Sequence, residues 1–152
     1  MTMNKVLKYI YPCRVSVVRE KTDRYARIDN SKALNVIARE FLADAATERF
    51  LVFMLDAKNR IVDFYEASVG SMNASIVVPR DVYRAAVIQG ASAVVFCHNH
   101  PSGDTYPSKE DDESTKRLKE AGVILGIRVL DHIIVGDGYY SYADSGRILG
   151  NF

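Results

Sequence analysis

The chain has 152 residues, 48% of them hydrophobic and 26% charged, which is enough for one globular domain with a core and too little for a second domain of ordinary size. A net charge of +1 provides no overall attraction to a polyanion, so nucleic-acid contact would need a local basic patch. Cys13 and Cys97 make no CxxC or zinc-knuckle spacing, and no apolar run has the length of a signal peptide or a membrane span, so a reduced, cytoplasmic protein is expected.

Residues 1–29 form a basic lead. The first thirty residues carry seven Lys or Arg against three Asp or Glu, and the alternation in "RVSVVREK" predicts an exposed strand or hairpin. The domain proper is expected from 30 to 152. "DNSKALNVIAREFLADA" predicts a helix: Asp29 to Ser31 offer capping oxygens, and Leu34, Ile37, Ala38, Phe41 and Leu42 recur at helical spacing. "ERFLVFML" and "RIVDFYEASV", joined by the polar turn "DAKNR", predict an antiparallel hairpin. "VPRDVYRAAVIQG" predicts a second helix, begun near Pro79, with Val82, Ala85, Ala86 and Ile88 on its apolar face and Gly90 as its stop.

"ASAVVFC" is a nearly unbroken apolar run, the pattern of a strand buried on both faces, and it leads directly into His98. "KEDDESTKRLKEAG" predicts a third helix ending at Gly122, and "IRVLDHIIVG" and "YYSYA" two closing strands around "DG". Alternating helices and strands with one hairpin predict an α/β protein, a three-layer sandwich on a mixed sheet.

The segment "CHNHPSGDTYPSKEDD" concentrates the chemistry. On extended backbone, residues two apart share a side, so His98 and His100 can aim two imidazoles at one point while Asn99 faces away. Pro101 and Gly103 enforce a turn, and Pro107 leaves Ser108 as the N-cap of the next helix, with Asp111 in its first turn. The loop can thus bring an anionic ligand to both histidines. A His2Asp set with a position left for water is the catalytic type for zinc. The same Ser108 and Asp111 also read as a capping box that only satisfies helix N–H groups, and spacing alone leaves both readings open.

His98-Asn99-His100-Pro101 followed by Ser108 to Asp111 resembles the JAMM motif of the JAB/MPN metalloprotease superfamily. With "PRDVYRAAVIQGASAVVF" before it and "LDHIIVGDGYYSYADSG" after it, the resemblance is to the RadC branch and runs from about Asn30 to Leu149. It implies a cytidine-deaminase-like α/β/α fold and a zinc ion on His98, His100 and Asp111. It also implies an upstream glutamate that works on the zinc-bound water, and Glu48 in "TERFLVFML" holds that place; Glu66 in "DFYEASVG" is its rival. Glu48 would be general base and then general acid, Ser108 would stabilise the tetrahedral intermediate, and the reaction would be peptide or isopeptide hydrolysis of an unknown protein or peptide.

Other residues read more plainly. His132 is expected to be strand packing or a satisfied hydrogen bond, Asp131 and Asp104 are candidates to orient ligands from behind, and Cys97 points away from His98. The nine tyrosines are expected in core and sheet surface. Two other functions stay open: a DNA-repair accessory or nucleic-acid-processing protein, for which Arg14, Arg19 and Lys21 of the lead are the support, and a module that keeps a metal without catalysis.

Overall fold

The computed structural model of the protein describes residues 26–42, 44–69 and 77–148. The strand or hairpin expected in the lead and Cys13 fall in residues 1–25, outside the described residues. Among the described residues, three helices and five strands follow in the order α1 (Ser31–Leu42), β1 (Arg49–Leu55), β2 (Ile61–Val69), α2 (Pro79–Gln89), β3 (Ala93–Asn99), α3 (Lys109–Leu125), β4 (Arg128–Val135), β5 (Tyr139–Ser141). The strands form one mixed sheet ordered β2-β1-β3-β4-β5. Among these five strands β3 and β4 run parallel, and the pairs β1–β2, β1–β3 and β4–β5 are antiparallel.

Strand alternation sorts the core into two clusters. Phe50, Val52, Met54, Val94 and Phe96 join Val82, Tyr83 and Ala86 of α2 and Leu118 of α3. Leu51, Phe53, Leu55, Val95 and Cys97 join Leu34, Ala38 and Leu42 of α1. Apolar residues therefore meet apolar partners from both faces of β1 and β3, which is why those runs carry almost no polar residue. Ile28, just ahead of α1, is also buried in the second cluster, and its N–H donates to the Asn59 carbonyl at 2.9 Å.

Local chemistry sets the ends of the elements. Asn30 Oδ1 accepts the Ala33 N–H at 2.8 Å and caps α1. In the expected β1–β2 hairpin, Asp56 Oδ1 accepts from the N–H groups of Lys58 and Arg60 at 2.8 and 3.0 Å. Pro79 opens α2, and Gly90 closes it in the left-handed region at φ 65°.

Two expectations need correction. Helix α3 does not stop at Gly122 but runs to Leu125 and closes at Gly126, φ 68°. Gly122 is there for close packing, since a Cβ on it would sit 2.6 Å from both the Ile127 carbonyl and the Tyr83 hydroxyl. On α2, Ile88 is exposed, and Tyr83 is the buried residue, its hydroxyl donating to the Leu118 carbonyl at 2.7 Å. A phenol with its hydroxyl satisfied can sit in the core.

Candidate metal centre

The centre lies at the carboxyl end of β3, the middle strand of the sheet. Phe50 of β1 is registered opposite His98, and the two rings stack with centroids 6.0 Å apart. One residue beyond the strand, His100 still donates its backbone N–H to the Val135 carbonyl of β4, 2.9 Å away. The chain then turns tightly: the Gly103 N–H reaches back to the His100 carbonyl at 3.0 Å, with Gly103 at φ 87°. The β4–β5 turn backs this loop so closely that a Cβ on Gly136 would strike the Gly103 carbonyl. Arg39 of α1 fastens that turn in place by donating to the carbonyls of Gly136 and Gly138 at 3.1 and 2.7 Å.

Helix α3 then returns a carboxylate to the histidines. Ser108 is its N-cap and Asp111 its third residue, with both halves of a capping box formed. His98 Nε2 is 3.2 Å from Asp111 Oδ1, His100 Nε2 is 3.4 Å from Oδ2, and the two Nε2 atoms are 3.0 Å apart. The three residues could hold a metal ion, each offering one ligand atom within 4.8 Å of the others. His98 and Asp111 are 1% and 2% exposed, and His100 is 17% exposed, so the cluster is reached from the His100 side. His100 Nδ1 faces the Asp104 carbonyl at 2.7 Å, and a carbonyl only accepts; Nδ1 therefore carries a proton, and Nε2 is the nitrogen turned toward His98 and Asp111.

Electrostatics keeps the carboxylate ionised. Burial alone would raise Asp111, but hydrogen bonds with His100 and His98, the charge of His98 and the Ser108 hydroxyl hold it well below the ordinary carboxylate range. His100 is raised, chiefly by its hydrogen bond with Asp111 and against the opposing effect of burial.

Glu48 and Glu66 occupy different environments. Glu48 stands immediately before β1, half-buried, and its carboxyl is raised first by burial; the charges of His98, Asp111 and His100 all act on it. Glu66 is paired in two-pronged fashion with Arg49, Nε to Oε1 at 2.6 Å and Nη2 to Oε2 at 3.1 Å, and this pair lowers its carboxyl. The segment bearing Glu48 is held by Asn99, which sits between the two histidines and, as expected, faces away from them. Its Nδ2 donates to the Thr47 and Ala45 carbonyls at 3.0 and 3.3 Å, and its Oδ1 accepts the Arg49 N–H at 2.8 Å.

The Ser108 hydroxyl donates to Asp111 Oδ2 at 2.6 Å and accepts the Asp111 N–H at 3.1 Å, so the capping arrangement is formed here. Capping and ligand geometry coexist on one carboxylate: Oδ1 faces His98, while Oδ2 accepts from Ser108 and also faces His100. Asp104 supports His100 through its main-chain oxygen, while its carboxylate accepts the Tyr106 N–H at 2.9 Å. Asp131 touches neither ligand ring: it accepts from Ser141 Oγ and the N–H groups of His132 and Ala143 at the β4–β5 corner. Cys97 is fully buried in the α1-side cluster.

His132 does more than pack. Its Nε2 lies 2.8 Å from His98 Nδ1 and its Nδ1 lies 2.6 Å from Thr115 Oγ1, while Tyr142 stacks on its ring at 5.1 Å. Burial, and then the charge of His98, push its imidazole far below the ordinary value, so it is neutral. Sequence reasoning overlooked Asn99 as a brace and Thr115 altogether. Thr115 carries a findable signal, since it lies four residues after Asp111 and therefore on the same helix face.

Residues 28–147 match the family model of the RadC-like JAB domain. Curated relatives are similar over much of this chain. A UPF0758 protein of Trichlorobacter lovleyi is 58% identical over 108 residues, 70% of this chain and 47% of the relative. Another, from Syntrophotalea carbinolica, is 50% identical over 125 residues, 82% of this chain and 54% of the relative. The UPF0758 protein of Symbiobacterium thermophilum is 43% identical over 127 residues, again 82% and 54%. The chain thus spans about half the length of the curated relatives it matches.

Proposed function

This chain belongs to the RadC-like JAB domain family, and on that premise we propose that it is a zinc-dependent amide hydrolase, a metallopeptidase or isopeptidase, with His98, His100 and Asp111 as zinc ligands. The observation that carries the reading is the spacing of the donors. Two ligands each 2.0–2.1 Å from a tetrahedral ion lie about 3.3 Å apart; the two imidazole nitrogens here are 3.0 Å apart, and His98 and His100 lie 3.2 and 3.4 Å from the Oδ1 and Oδ2 edges of the one Asp111 carboxylate. Two imidazole nitrogens and one carboxylate oxygen are donors that zinc accepts, and three protein ligands leave a fourth position open. When bound, the ion supplies Lewis acidity, polarising an amide carbonyl and bringing the pKa of water down to about 7.

The protein's own groups do the rest. Glu48 takes the proton of the attacking water as the new C–O bond forms and delivers it to the amine as the C–N bond breaks. Its raised carboxyl suits both halves of that transfer, since a base closer to the working pH also returns the proton more readily. Ser108, turned away from Asp111 Oδ2, donates its hydroxyl to the oxygen of the tetrahedral intermediate. Asp111 stays ionised throughout, as a ligand must.

The architecture that goes with this reading is a three-layer, cytidine-deaminase-like α/β/α domain, supported by the separate apolar clusters against the sheet. We place the enzyme in the cytoplasm, acting on a protein or peptide. Among the described residues no helix is long and apolar enough to cross a membrane. The test is to incubate the zinc-loaded protein and its Glu48→Gln form with a bacterial lysate and to compare the new protein termini. Termini produced only by the unsubstituted protein support hydrolysis; identical sets from both overturn it.

A further inference from the structure

The hydrogen bonds behind His98 can be followed proton by proton. The Thr115 hydroxyl has one proton and donates it to the Asp111 carbonyl at 2.7 Å. Having no second proton, Thr115 Oγ1 can only accept from His132 Nδ1, 2.6 Å away, so His132 carries its proton on Nδ1. His132 is 1% exposed, with Phe50, Phe96 and Tyr142 around its ring, and among the described residues no carboxylate hydrogen-bonds that ring. Such surroundings keep an imidazole neutral. Its Nε2 is therefore bare and accepts from His98 Nδ1 at 2.8 Å, so that in a neutral His98 the lone pair is on Nε2, facing His100 and Asp111.

We propose that Thr115 and His132 are positioning residues that set the tautomer of His98 and thereby make it a metal ligand. The inference rests on the metal-centre reading above. Metal-bound histidines ordinarily rest their second nitrogen on a carboxylate, a carbonyl or water. A second neutral imidazole is a different support, because on its own it can hold its proton on either nitrogen. If that proton moved to His132 Nε2, it would donate to His98 Nδ1, and the proton of His98 would move to Nε2, where it blocks ligation. Thr115 removes this alternative, because its back-bond to Asp111 leaves it nothing to donate. The relay closes on itself: it starts at one ligand, His98, and ends on the backbone of another, Asp111.

The test uses the full chain with Thr115→Val, Thr115→Ser and His132→Phe, each read by zinc affinity in competition with a chromophoric chelator and by 15N chemical shifts of the imidazoles without added metal. Thr115→Val keeps the shape and loses the acceptor. It should weaken zinc binding about 10- to 100-fold and move the His98 proton from Nδ1 toward Nε2. Thr115→Ser keeps the hydroxyl and should restore both properties; His132→Phe should weaken zinc, and adding Thr115→Val to it should weaken it no further. Three results would overturn the proposal: Thr115→Val with ordinary affinity and tautomer, weakened affinity with the tautomer unchanged, or no rescue by Ser. A protein that binds no zinc in any form, yet shows the expected shifts, would sink the metal-centre reading and leave the relay standing.

Discussion

Asn99 Oδ1 accepts the backbone N–H of Arg49 at 2.8 Å, tying the residue after Glu48 to the residue between the two histidines. One amide thereby sets the distance between the proposed base and the proposed ligands. Asn99→Ala removes part-buried hydrogen bonds to the backbone of Arg49 and Thr47, at a cost of about 0.5–1.5 kcal/mol each. Zinc content should remain, while urea denaturation shows that loss of stability and turnover falls. Unchanged turnover would mean that Glu48 is held from elsewhere.

The two upstream glutamates should separate cleanly. Glu48→Gln should lower hydrolysis by about 10²- to 10⁴-fold, the usual contribution of a positioned base, with the metal retained. Glu66→Gln breaks a partly exposed pair with Arg49 and should cost at most about 1 kcal/mol of stability, with near-normal turnover. Activity and zinc measurements on both variants decide the matter, and an inactive Glu66→Gln would reverse the assignment.

Metal analysis of the purified protein should find about one zinc per chain, and His98→Ala with His100→Ala should abolish it. Free zinc at one hundred times its dissociation constant should raise the unfolding free energy by about 2.7 kcal/mol. Thermal melts with and without a chelator check this, and the double variant should melt identically in both.

Asp131 supplies a pH-dependent contribution that involves no metal. Burial pushes its carboxyl from 3.8 up to about 6, against three hydrogen-bond donors that pull it down. The folded chain therefore keeps a proton that the unfolded chain releases, and this adds stability that is complete below pH 4 and lost as pH rises through 6. The difference corresponds to about 3 kcal/mol. In Asp131→Asn, Oδ1 can still accept the His132 and Ala143 N–H groups, and stability should vary less between pH 4 and 6 than in the unsubstituted protein.

Local rules made much of this legible. The HxH pair, the Pro-Gly turn and the S-x-x-D cap act within fourteen residues, where backbone geometry leaves few arrangements, and His98, His100 and Asp111 do come together. Gly122 misled because glycine ends helices and also admits close neighbours, and its neighbour Tyr83 lies 39 positions earlier in the chain. Asn99 and His132 were out of reach for a similar reason. Asn99 braces a segment about 50 residues upstream, and the parallel register that pairs Phe96 with His132 exists only once α3 has crossed over.

The three proposed ligands are not held equally firmly. His98 is built into the central strand and Asp111 into a capped helix, whereas His100 stands just past the sheet on a turn held by Gly103, Gly136 and Arg39. On the proposed reading, an ion would come and go by loosening of that turn alone, without the sheet opening. Residence time at this centre is then a property of the turn, so a weakening of Arg39, on the far helix and touching no ligand, should shorten it before any loss of overall stability is felt.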